Sequence, residues 1–161
     1  MSPSLPALVG LVGLCLLVGA VSGGITATSV HSWYLTLTAP PGTPPNAVFG
    51  PVWTVLYVMI GVAAWLIWRR DGSADSRRRS ALLLWGWQLL LNALWTPAFF
   101  GLRSPALGLV VMAPLLVLAI LTARTFRPIS RAAGLLMLPY IAWVSYAAYL
   151  NAGFWWLNRG G

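Results

Sequence analysis

Apolar residues run in five long blocks along the chain: Leu5 to Thr28, Val48 to Trp68, Ala81 to Leu102, Pro105 to Ala123 and Ala132 to Leu157. None of the five contains Lys, Arg, Asp or Glu. Each block is long enough to cross a hydrocarbon layer of about 30 Å as a helix. Backbone N–H and C=O groups in lipid must be paired within their own segment, so continuous apolar runs read as helices. A β-barrel would instead alternate with a period of two. The pattern predicts an all-α fold, a single integral membrane domain over residues 1–161 built as a bundle of five transmembrane helices. The first block lacks a positively charged leader, the first charge being Arg69, and it is long for a signal-peptide core, so it is read as helix 1.

The connections differ in kind. Helices 1 and 2 are joined by residues 29–47, which hold Pro40, Pro41, Pro44 and Pro45 preceded by Trp33 and Tyr34. Prolines stiffen this loop and deny it a helix, and two aromatics on it read either as a lid over the bundle or as interfacial anchors. Helices 3 and 4 are separated only by Arg103 and Ser104, so they must be antiparallel neighbours. Pro51, Pro97, Pro114 and Pro139 fall inside apolar runs, where each removes a backbone donor and bends its helix.

Composition narrows the function classes. Hydrophobic residues make up 59% of the chain and charged residues 7%, with a mean hydropathy of +0.80. A soluble domain carries roughly a quarter charged residues, and disorder requires low hydrophobicity, so both are excluded. The net charge of +8 comes from ten Arg against Asp71 and Asp75. Arg69, Arg70, Arg77, Arg78 and Arg79 flank one gap between apolar runs, and Arg124, Arg127 and Arg131 another. That is the pattern of membrane topology and anionic headgroups, with no nucleic acid as partner. Eight Arg share one side with the N-terminus, and Arg103 and Arg159 fall on the other. The positive-inside rule therefore places the N-terminus inside and the C-terminus outside.

Little conventional chemistry is available. One cysteine, Cys15, excludes a disulfide framework, and one histidine with two acids excludes a multi-ligand metal centre. No acid lies within a helix to relay protons, which argues against a proton-coupled carrier. No Ser-His-Asp set and no phosphate loop can be assembled. His31 reads either as an axial ligand for a metalloporphyrin or as a solvated loop residue. No obligatory cofactor is expected, and no metal.

Tryptophan, by contrast, is abundant, with ten residues. Trp68, Trp155 and Trp156 near run ends read as interfacial anchors. Trp53, Trp95 and Trp143 lie deeper. Trp53 and Tyr57 are four apart; Trp85, Gln88, Asn92 and Trp95 share one face of helix 3; Trp143 is followed on its face by Tyr146, Ala147 and Leu150. Amides are costly in lipid, so Gln88 and Asn92 should face inward and carry their tryptophans with them. The result is either an aromatic-packed bundle or a pocket walled by indole and phenol. A pocket of that kind suits a flat, apolar, conjugated ligand. Gly19 and Gly23 form a GxxxG pair on helix 1, for association between chains or for packing within one.

These residues resemble the TspO/MBR family, the tryptophan-rich sensory proteins, bacterial relatives of the mitochondrial translocator protein or peripheral benzodiazepine receptor. Pro44-Pro45, Phe49, Pro51, Trp53 and Leu56-Tyr57 are similar to the entry of that family's second helix. Gln88-Leu89, Asn92, Leu94-Trp95-Thr96-Pro97 and Phe99-Phe100-Gly101 resemble its third-helix signature; Pro139-Tyr140 with Trp143 resembles the fifth helix, and Trp33-Tyr34, Leu37 and Pro40 the first loop. The resemblance implies a five-helix bundle in a bacterial membrane, usually a homodimer. It implies a receptor or sensor that binds porphyrins such as protoporphyrin IX and haem, with a role in tetrapyrrole handling or oxygen- and stress-linked regulation. Mapped onto this chain, the implied ligand-binding residues are Trp33, Trp53, Tyr57, Asn92, Trp95, Trp143 and Ala147. The resemblance also leaves open transport of tetrapyrroles, or light-dependent porphyrin degradation, for which Trp33 and Trp143 are the candidate catalytic residues. Two departures stand out. Ala39 and Gly42 occupy loop positions where relatives often carry Lys and an aromatic ring. The sterol pattern is also missing, because Tyr149 has no basic residue until Arg159.

Overall fold

A computed structural model describes residues 4–70 and 75–160; Asp71, one of the two acids, lies outside them. Five helices run in alternating directions: α1 (Ser4–Ala27), α2 (Asn46–Trp68), α3 (Asp75–Thr96), α4 (Pro105–Ile129) and α5 (Arg131–Asn158). The packing order around the bundle is α1, α2, α5, α4, α3, with α3 closing against α1 and α2. One end gathers the Pro-rich loop and is called here the loop end. The other gathers Arg69, Arg70, Arg77, Arg78, Arg79, Arg124, Arg127 and Arg131 and is called the arginine end. Four helices are long and apolar enough to cross a membrane. Taken whole, α3 is less apolar, because its first turns carry Arg77, Arg78 and Arg79.

The expected spans of helices 1, 2 and 5 agree with the structure to within two residues. Helix 3 was expected at 81–102 and is displaced toward the arginine end; helix 4 was expected at 105–123 and begins there but runs on to Ile129 at the arginine end. The arginine-bearing turns are helical as well, since a helix that leaves hydrocarbon has no reason to stop where its apolar face does. The α4–α5 connection is accordingly the single residue Ser130, whose Oγ accepts from the Ala133 N–H at 3.3 Å as a helix cap. At this corner a Cβ on Gly134 would sit 3.0 Å from the Arg127 Cα.

At its other end α3 does not run on to residue 102 as an α-helix. Pro97 cannot donate to the preceding turn, and Pro97–Gly101 form a π-helical turn. There the Leu102 N–H reaches the Pro97 carbonyl at 2.8 Å and the Ser104 N–H the Phe99 carbonyl at 3.1 Å. Ser29 Oγ donates to the Phe100 carbonyl at 2.6 Å, pinning the end of α1 to the π turn. Pro51, Pro114 and Pro139 lie within helices that continue through them. Arg103 takes a left-handed φ of 53° to reverse the chain, and Ser104 caps α4 by accepting from the Leu107 N–H at 3.2 Å.

Candidate functional site

The arginine-end half of the bundle is filled. Ile60, Ile67, Met137, Val144 and Phe126 are fully buried there or at mid-height, and Trp85 Nε1 donates to the Ile60 carbonyl at 3.1 Å. At mid-height a chain of polar side chains crosses the core. Tyr57 OH donates to Asn92 Oδ1 at 2.6 Å, Asn92 Nδ2 donates to Tyr140 OH at 2.9 Å, and Tyr140 OH donates to Gln88 Oε1 at 2.6 Å. The inward orientation expected of Gln88 and Asn92 is therefore present. Both ends of the Asn92 amide are already engaged, so Asn92 fixes α2, α3 and α5 to one another.

Above this chain the bundle opens into a cavity of about 840 Å³. Trp53, Tyr57, Asn92, Trp95, Trp143 and Ala147 all line it, so six of the seven residues singled out from sequence are brought together. Their rings form a continuous wall: Trp53 stacks on Tyr57 at 5.5 Å, Trp95 stacks on Phe99 at 5.2 Å, and Phe49 meets Trp143 edge-on at 6.0 Å. Trp143 Nε1 is buried without a hydrogen-bond partner among the described residues. No arginine is among the lining residues, and the polar rim is formed by His31 and Asn46, both exposed.

Trp33 is the exception: it does not line the cavity. It sits on a short 3-10 turn, Trp33–Thr36, with its edge against Phe99 at 5.7 Å, one ring removed from the space. The turn directs Tyr34 inward instead, against Phe100 at 5.5 Å and Phe154 at 5.2 Å. Burial raises the Tyr34 phenol above its ordinary value, keeping it neutral.

The proline-rich loop is strapped across α5. Tyr146 OH donates to the Gly42 carbonyl and Tyr149 OH to the Pro41 carbonyl. Asn158 accepts from the Thr38 N–H at 2.9 Å and donates to the Thr38 carbonyl at 3.0 Å. Pro40 fills the notch at Gly153, where a Cβ would lie 2.5 Å from the ring. Gly42, one of the two departures noted in the loop, has a φ of 84°, a conformation glycine adopts without strain.

Sequence reasoning missed Asn151 and the small-residue face of α1. Asn151 Oδ1 accepts from Trp95 Nε1 at 2.9 Å, and its Nδ2 donates to the Pro105 carbonyl at 2.7 Å, so one amide holds a cavity tryptophan and the start of α4. Its signal was available: an amide inside an apolar run is expensive and must have a partner. The α1 face (Gly19, Ala20, Ser22, Gly23, Thr26, Ala27) lines the cavity, where the sequence offered Gly19 and Gly23 only as packing glycines. Gly19 packs on the Tyr57 ring of the same chain, whereas a Cβ on Gly23 would meet nothing within 4 Å, so one member of the GxxxG pair has an intramolecular partner.

A model of the TspO/MBR family matches residues 11–157. The chain is 38% identical over 147 residues to the tryptophan-rich protein TspO of Chlorobaculum tepidum, covering 91% of this chain and 92% of the relative. It is 40% identical over 143 residues to the protein of that name from Archaeoglobus fulgidus, covering 89% and 91%. It is also 37% identical over 128 residues to the translocator protein of Ovis aries, covering 80% and 76%.

Proposed function

The chain belongs to the TspO/MBR family, and from that premise we propose that it is a membrane receptor for porphyrins such as protoporphyrin IX and haem, held in the aromatic cavity. The observation that carries this reading is the cavity itself: about 840 Å³, walled by Trp53, Trp95, Trp143, Tyr57 and Phe99. Offset and edge-on ring contacts suit a flat conjugated macrocycle. Burying an unpaired carboxylate is prohibitive, and the wall offers no arginine, so the propionates point to the rim at His31 and Asn46 and stay in water. The rings do the holding, and iron is not required. Such a receptor serves tetrapyrrole sensing or sequestration, and it works as a homodimer with its N-terminus in the cytoplasm and its C-terminus outside. The gathering of eight described arginines at one end supports that orientation.

The test is a tryptophan-quenching titration of the protein in lipid nanodiscs with protoporphyrin IX, its dimethyl ester and haem. Saturable quenching of similar affinity by all three is expected. Binding that is lost on esterification, or no saturable binding at all, overturns the reading. A C-terminal reporter active in the cytoplasm overturns the orientation.

A further inference from the structure

The antiparallel pair α1 and α2 behaves differently along its length. Near the arginine end, Trp65 Nε1 donates to the Ser4 carbonyl at 2.7 Å, and a Cβ on Gly61 would lie 2.8 Å from the Val12 Cα. At mid-height a Cβ on Gly19 would lie 2.8 Å from the Tyr57 ring. Beyond Gly19 the contact stops. A Cβ on Gly23 of α1, or on Gly50 of α2, would meet nothing within 4 Å. Both glycines are exposed and both line the cavity, as do Ala20, Ala27, Ala47 and Thr54. The two helices splay, and the cavity opens sideways between them through a slot of small, uncharged residues. Ala20 and Thr54 lie seven and eight residues from the loop-end termini of their helices. At 1.5 Å per residue the slot therefore reaches about 10 Å down into the membrane-spanning part of the bundle.

Toward water the site ends at the rim of His31 and Asn46; toward lipid it opens through the slot. At that depth the surroundings are hydrocarbon, the slot carries no charge to repel it, and an unfilled apolar space forfeits contacts along its whole lining. We propose that the cavity takes hydrocarbon chains directly from the bilayer through the α1–α2 slot, its occupant being the acyl tail of a phospholipid whose headgroup remains at the membrane surface. The inference does not rest on porphyrin binding.

The experiment uses the full chain in phosphatidylcholine vesicles whose lipid carries a diazirine near the end of one acyl chain. After irradiation, adducts are mapped by peptide mass spectrometry. In the unmodified protein, adducts are expected on Trp143 and Ala147, on the α5 wall of the cavity, beside those on the exposed Trp87 of α3. Gly50→Leu and Gly23→Leu fill the slot from opposite sides, and neither Cβ meets a neighbour. Both should abolish the Trp143 and Ala147 adducts and leave Trp87 labelled. If Trp143 and Ala147 stay unlabelled in the unmodified protein while Trp87 is labelled, or if either folded variant keeps those adducts undiminished, the proposal is wrong.

Discussion

The two halves of this bundle use the same residue types to opposite ends. In the arginine-end half, the glycines at helix seams permit contact: Gly61 lets the α1 backbone touch α2, and Gly134 lets the α4 backbone touch α5, while Gly10 and Gly13 lie off the seams and would meet nothing. In the loop-end half, Gly108 and Gly153 still pack closely against Asn151 and Pro40, but Gly23 and Gly50 at the α1–α2 slot touch nothing and border open space. Tryptophan divides less strictly, since Trp95 lines the cavity with its N–H bonded to Asn151. Trp85 is buried, with its N–H spent on the Ile60 carbonyl, whereas Trp143 faces the cavity with its N–H unspent. The lesson is that a membrane bundle separates framework from site by how its helices diverge. The Tyr57–Asn92–Tyr140–Gln88 chain marks the level at which they begin to do so.

The sharpest way to break this division is to exchange the two kinds of glycine. Gly61→Leu forces a side chain into the Val12 backbone, which cannot yield as a flexible side chain would. Overpacking of this kind costs about 1–3 kcal/mol, occasionally more. A large drop in the thermal unfolding midpoint is expected, whereas Gly23→Leu should leave the midpoint nearly unchanged. Equal effects from the two would mean that the halves are not packed differently.

A smaller loss is expected at the boundary. Tyr140→Phe removes a hydroxyl that both donates to Gln88 and accepts from Asn92. Intramembrane hydrogen bonds are worth about 0.6 kcal/mol each, up to about 2, so denaturant unfolding should show a loss of that order for each of the two bonds. Unchanged stability would place the cohesion of the middle of the bundle in ring packing alone.

The smallest effect belongs to the loop strapped on α5. Asn158→Ala removes both bonds to Thr38. At an exposed site these contribute about 0.5–1.5 kcal/mol each at most. The expected readout is local: faster amide exchange at Thr38 and its neighbours, with no change around Ile60. Exchange that accelerated throughout would tie this strap to global stability.

Much of this fold was legible because lipid permits few solutions: an uncharged run of some twenty residues has to be a helix, and an amide within it has to face a partner. That logic correctly turned Gln88 and Asn92 inward and gathered Trp53, Trp95 and Trp143 with them. It failed where geometry depends on pairs distant in sequence. Thr38 meets Asn158 across 120 residues, and no local pattern announces that strap. Pro97 signalled a break but not a π turn, because a missing donor does not dictate which wider hydrogen bond replaces it. Trp33 was grouped with the site by its ring and its place in the loop motif, but the tight turn that carries it presents Tyr34 instead. The α1–α2 slot was illegible for a simpler reason. Glycine that allows contact and glycine that borders space are the same letter.

The central claim is that ligand affinity resides in the loop-end half and not in the framework below it. The direct measurement is the dissociation constant for protoporphyrin IX, by fluorescence titration in nanodiscs, of Trp143→Ala beside Trp85→Phe. Trp143→Ala removes a stacking face worth about 0.5–1.5 kcal/mol beyond its buried area, so binding should weaken by at least about two- to tenfold. Trp85→Phe, below the polar chain, should bind as the unmodified protein does. Weakened binding in Trp85→Phe together with unchanged binding in Trp143→Ala would contradict the account.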